Sequence, residues 1–166
     1  MRSINVKIAL KYKVSDNATM IDKIIAKGIQ IRTKDIHYHV ELILDNMWIS
    51  ADPKEGICIT PLKPYISDKW TIIDFGKILV TDEQYDKIHK FIFEREGNPY
   101  DMCGIFLSQF IKLGMDDKNK WFCSEIVSKI LQLLLIDEYI DITPADLSPA
   151  DMYRLSKYRL GHKDDE

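Results

Sequence analysis

Cys123 stands in the stretch WFCSEIVSKILQLL, at the start of a segment whose apolar residues Ile126, Val127, Ile130 and Leu134 recur at helical spacing. A thiol at a helix N-terminus meets the positive end of the helix dipole and backbone N–H groups that have no intrahelical acceptor. Both favour the thiolate and can hold a developing oxyanion, so the placement suits nucleophilic attack on a carbonyl. Such a nucleophile needs an imidazole to take its proton and a third group to orient the ring. The stretch from Asp35 to Leu44 supplies candidates: Asp35, His37, His39 and Glu41 alternate with Ile36, Tyr38, Val40, Leu42 and Leu44, and so share one face of an expected strand. Either histidine could be the base, with Glu41 close at hand. The His-x-His pair also permits a zinc reading, completed by Cys123, Asp52 or Glu41. No third ligand lies at motif spacing to the pair and the cysteine is better explained by its helix start, so the expectation is a site with no metal and no cofactor. Cys58, in an alternating stretch, and Cys103, in GNPYDMCG, have no imidazole near them in sequence and read as packing residues.

These groups must be positioned by the elements around them. Ile4, Val6, Ile8, Leu10 and Tyr12 at every second position predict an opening strand. The cap-forming residues Ser15 to Thr19 precede Met20, Ile21, Ile24 and Ile25 at helical spacing, and Gly28 supplies the expected stop, giving a helix of about three turns. Asp45-Asn46 reads as a hairpin turn, and Met47 to Ala51, Gly56 to Thr60 and Trp70 to Phe75 read as strands separated by Asp52-Pro53, Pro61 and Pro64. After Gly76, Thr81 caps a helix with Tyr85, Ile88, Phe91 and Ile92 as its apolar stripe, ending at Gly97. Further helices are expected over Tyr100 to Leu113 and about Cys123 to Leu135. A loop from Asp141 to Pro149 then leads to a short helix near Ala150 to Leu155, and residues 160–166 form a flexible charged tail. Strands followed by helices, without strict alternation, predict an α+β fold: an antiparallel sheet in the N-terminal half and helices in the C-terminal half.

Composition narrows the function classes. A chain of 166 residues is expected to fold as a single domain, and its 46% apolar and 30% charged content is that of an ordinary globular protein. The formal net charge of −3 and the lack of a basic run argue against a nucleic-acid partner. Three cysteines without a CxxC spacing build neither a disulfide framework nor a four-cysteine zinc site, so reduced thiols are expected. The alternating N-terminus, interrupted by Lys7, Lys11 and Lys13, lacks a signal-peptide core. The longest apolar run, Leu133 to Ile136, is far short of the ~20 residues of a membrane span. The expectation is a cytoplasmic protein without a transmembrane segment.

With these residues in place, the chain resembles the circularly permuted branch of the NlpC-like, papain-fold superfamily of cysteine peptidases and amidases. That branch includes YiiX-like bacterial proteins, a poxvirus branch and lecithin:retinol acyltransferase-like enzymes. The order of motifs carries the resemblance: HVEL (His39 to Leu42) precedes WFCSE (Trp121 to Glu125), the reverse of the papain order, and GNPYD (Gly97 to Asp101) looks like the family's Gly-x-Pro-Tyr segment. DKIIAKGIQIRTKDIHYHVEL and KEGICITPL extend it, so that it covers about Ile21 through Leu147. The resemblance implies a permuted papain-like fold with the cysteine at a helix N-terminus, Cys123 as nucleophile, His39 rather than His37 as base, and Tyr100 near the thiol. His37 and Trp121 are counted with Tyr100 as pocket residues, and Trp121 and Phe122 as anchors of the cysteine helix. ITPADLSPADMY resembles a Thr-Pro loop bordering the cleft.

Related chains often carry glycine two residues after the histidine and an acid on the following strand. Here Glu41 replaces the glycine and Ser50 takes the following-strand position. Glu41 is therefore expected to orient the imidazole, with Ser50 or Asp52 as the alternative third member. Residues i and i+2 of a strand lie about 6 to 7 Å apart at the backbone, a span that glutamate closes and aspartate hardly does. The implied activity is that of a cysteine hydrolase or acyl transferase cleaving an amide, ester or thioester of a small molecule, peptide or lipid through an acyl-cysteine intermediate. The departure at the third member leaves a non-catalytic binding module on the same fold as the second class. The family company implies a bacterial, phage or viral origin, and for a phage or viral protein the host cytoplasm or the virion.

Overall fold

Residues 1–52, 56–61, 68–98 and 122–163 are described by a computed structural model. Five antiparallel strands, β1 (Arg2–Lys11), β2 (His39–Leu44), β3 (Met47–Asp52), β4 (Gly56–Pro61) and β5 (Trp70–Val80), form one sheet in the order β4-β3-β2-β1-β5. Helices α1 (Met20–Thr33), α2 (Asp82–Phe93), α3 (Cys123–Leu133), α4 (Asp137–Ile140) and α5 (Pro149–Lys163), with a 3₁₀ turn at Pro144–Asp146, complete an α+β architecture in which helices dominate the C-terminal half.

Alternation decides what each strand buries. Ile4, Val6, Ile8, Leu10, Val40, Leu42, Leu44, Ile49, Ala51, Ile57, Ile73 and Phe75 join one core with Ile126, Val127, Ile130 and Leu131 of α3. Those four α3 side chains are fully buried, each contributing about 1.5 to 3 kcal/mol of hydrophobic stabilisation. On the opposite sheet face Ala9, Ile43 and Trp48 form a smaller cluster joined by Trp70 and Ile72. Glu41 belongs to this second face, because it stands between Val40 and Leu42. α3 packs on β2 and β3 and is buried on nearly every side; Ser124 donates its hydroxyl to the Leu147 carbonyl at 2.5 Å, tying the helix to the chain ahead of α5.

Several boundaries differ from the sequence reading. β2 begins at His39, so the polar row upstream belongs to the connection after α1 and not to a strand. Helix α1 continues through Gly28 to Thr33 because Ile29 is buried beyond the glycine, and Lys34 ends it in the left-handed region (φ 53°). β5 passes Gly76 by way of a bulge: the pairing with β1 shifts register between Val6 and Lys7, and Gly76, at φ 76°, donates its N–H to Asp74 at 2.8 Å. The tail expected to be flexible from residue 160 is helical backbone as far as Lys163. The helix it belongs to, α5, begins in a capping box between Ser148 and Asp151. Among the described residues no helix is long and apolar enough to cross a membrane.

Candidate active site

His39 opens β2, and there the N-terminus of α3 reaches it: the imidazole is hydrogen-bonded to the Cys123 thiol and to Glu41. Its Nε2 lies 3.3 Å from Glu41 Oε1. The i, i+2 spacing puts both side chains on one face of the strand, and the glutamate is long enough to reach back along it. With Nε2 directed at the carboxylate, Nδ1 is the nitrogen that can serve Sγ without sharing.

Glu41 is itself held. Ser50, on the neighbouring strand, donates its hydroxyl to the same Oε1 at 3.1 Å, and the two side chains are almost fully buried. The antiparallel register explains the meeting: Leu42 pairs with Ile49, which places Ser50 opposite Glu41. Ser50 thus restrains the carboxylate that orients the imidazole. Ser50→Ala is expected to cost about 1.5 kcal/mol of stability, the worth of a hydrogen bond to a charged group, and to narrow the pH range over which Cys123 is reactive. Ser50→Thr, which keeps the hydroxyl, should retain the range; an alkylation profile indistinguishable between wild type and Ser50→Ala would remove the positioning role.

Burial of the His39 ring opposes its charge, but the Cys123 sulfur hydrogen-bonded to it and the Glu41 carboxylate outweigh that penalty and raise its pKa to about 10. A protonated imidazole beside the Glu41 carboxylate is the arrangement this implies at neutral pH. Cys123 is only 3% exposed and the His39 side chain 17%. Phe122, the N-cap residue of α3, is extended and makes no side-chain cap.

Sequence reasoning missed Trp70. Its ring lies 6.1 Å from that of His39 at 61°, and 5.7 Å from Trp48, so it walls one side of that imidazole. Lys11 connects them, pairing with His39 on one side and Trp70 on the other, with its ammonium 5.3 Å from the Trp70 ring. The alternation of β1 and β5 held the signal, but only the register across three strands turns it into proximity.

His37, expected beside the pocket, is a buried clamp instead. Its Nδ1 lies 2.7 Å from Asp35 Oδ1 and its Nε2 3.0 Å from Thr71 Oγ1, it is 2% exposed, and its ring lies 4.4 Å from that of Tyr153. Nδ1 faces the Asp35 carboxylate and Nε2 the Thr71 hydroxyl, so both nitrogens are committed away from Cys123. Cys58 is half-buried on β4, across from Ser50. Asp52 closes β3 opposite Gly56, while its side chain, together with Tyr100, Cys103 and Trp121, lies outside the described residues. Among the described residues, no group of three or more histidines, cysteines, aspartates or glutamates is arranged to hold a metal ion. The Thr143-Pro144 segment forms the 3₁₀ turn and its N-cap, and that turn packs against α3.

Comparison with protein-family models, with curated proteins and with solved structures finds no match to this chain in any of the three.

Proposed function

We propose that the protein is a cysteine hydrolase or acyl transferase that cleaves an amide, ester or thioester through an acyl-Cys123 intermediate. The observation that carries this reading is a single imidazole hydrogen-bonded both to a thiol at the first residue of a long buried helix and to a carboxylate. In the proposed reaction the Cys123 thiolate forms a bond to the substrate carbonyl carbon. The resulting oxyanion is met by the Cys123 backbone N–H at the positive end of α3. His39 gives its proton to the departing amine, alcohol or thiol as that bond breaks, leaving a thioester on Cys123. The neutral ring then takes a proton from water or another acceptor, which displaces the acyl group and restores the thiolate.

The same constellation, with a histidine strand ahead of a cysteine helix, supports placing the chain with the permuted papain-like enzymes. The sheet-then-helix order agrees with that placement.

The test is the rate of iodoacetamide labelling at each cysteine against pH, read by peptide mass spectrometry. Cys123 alone is expected to react well below pH 8.5, the ordinary pKa of a thiol being about that value, with Cys58 and Cys103 as internal controls. Equal behaviour of all three thiols would end the catalytic reading and leave a binding module that keeps the fold.

A further inference from the structure

Helix α1 is apolar on two sides. Its inner side buries Ala26 and Ile29, the latter against Phe122 beside the cysteine. Its outer side presents Met20, Ile21, Ile24 and Ile31, and the connection that follows adds Ile36; all five are between 60% and 78% exposed. At 100° per residue, Met20, Ile21, Ile24 and Ile31 fall within one arc of about 100°. Lys23, Lys27 and Lys34 form an exposed row directly along one margin of that arc.

The charge on this element runs against that of the molecule. α1 and its cap carry Lys23, Lys27, Arg32 and Lys34 against a single carboxylate, Asp22, in a chain whose net charge is −3. Asp22 is occupied at the helix N-terminus, accepting from the Thr19 N–H and hydroxyl. Lys27 and Lys34 form no ion pair with any described residue. They border a shallow cleft of about 280 Å³ lined also by Gln30, Ile31, Asp35 and Ile36, in which Asp35 is committed to His37 and Gln30 donates to the Tyr12 and Ile36 carbonyls.

We infer that the outer face of α1 docks the protein on an anionic phospholipid surface. The isoleucines and Met20 enter the boundary between headgroups and acyl chains, and the lysine row lies against the lipid phosphates. An apolar arc with cations on its margin is the pattern by which a helix lies in the plane of such an interface. A second copy of the chain fits less well, because pairing the face with itself brings lysine rows into one interface. This inference is independent of the chemistry at Cys123.

The experiment is co-sedimentation of the full chain with vesicles of phosphatidylcholine alone and of phosphatidylcholine with one-third phosphatidylglycerol, at low and at physiological salt. Binding is expected to the anionic vesicles only, and to weaken as salt rises. Ile24→Ser with Ile31→Ser should reduce it at least about tenfold. Lys27→Glu with Lys34→Glu should reduce it by roughly fivefold for each lysine lost. All four positions are solvent-facing, and circular dichroism checks that both variants keep the fold. No sedimentation with anionic vesicles would overturn the inference, as would binding that both variants retain. So would a dimer that the isoleucine substitutions abolish in a protein that ignores vesicles.

Discussion

His39→Ala lowers the rate of Cys123 alkylation at pH 5 by about fiftyfold. At that pH a thiol with the ordinary pKa of about 8.5 is roughly 0.03% thiolate, whereas a thiol paired with an imidazolium stays ionised. Part of the advantage is returned, because nucleophilicity falls with thiol pKa by about 0.4 to 0.5 log units per unit. The burial of Cys123 widens the gap, since an apolar setting without the imidazolium disfavours its charge. The difference should shrink steadily as pH rises toward the pKa of the unassisted, buried thiol. Rates that coincide at pH 5 would show that the imidazole does not activate the thiol.

The same coupling links stability to pH. The His39 pKa rises from an ordinary value of 6.5 to about 10 on folding, so its proton is bound more tightly in the native state. The stabilisation is present at pH 6.5 and is lost as pH climbs through 10. Denaturant unfolding of wild type and His39→Gln should therefore show a stability difference that narrows between those values; a constant or widening difference would contradict a charged ring in the native state.

Gly56→Ala is expected to destabilise the fold by about 3 to 5 kcal/mol. Gly56 opens β4 at φ 74°, a region that costs an L residue about 1 to 2 kcal/mol. A β-carbon there would sit 2.2 Å from the Asn98 carbonyl oxygen, a backbone atom that cannot swing aside as a side chain would. That carbonyl accepts from the Ile57 N–H at 2.9 Å while the Gly97 N–H donates to the Ile57 carbonyl at 2.7 Å, so the chain after α2 is stitched to β4 at this point. Relieving the clash breaks both bonds, each worth about 1 kcal/mol. Gly97→Ala is the control: φ is 79°, but nothing lies within 4 Å of its added carbon, and the cost should stay near the backbone strain alone. Equal losses in the two variants would show that close approach to Asn98 is not what requires glycine at position 56.

Features whose causes are local were legible in the sequence. Alternation marked β1, the Asp45-Asn46 pair marked the β2–β3 turn, where Asp45 takes φ 48°, and Thr81 marked the N-cap of α2. Cys123 was readable at a helix start, and His39 and Glu41 on one strand face, because a helix period and a strand period are written within a few residues.

Other features depend on partners far along the chain. His37 and His39 have the same residue type and the same parity; Thr71 and Tyr153, brought alongside from β5 and α5, join the local Asp35 in committing one ring elsewhere while α3 reaches the other. Ser50 could be read as an alternative to Glu41, but the β2–β3 register makes it a donor to that same carboxylate. Periodicity placed Met20, Ile21 and Ile24 on a helix; whether that face or the one bearing Ala26 and Ile29 turns inward is settled by what it packs against. Period and capping act through neighbours within a turn or a strand pair. The choice of which ring, which carboxylate partner and which helix face belongs to contacts that exist only once the sheet has closed on α3.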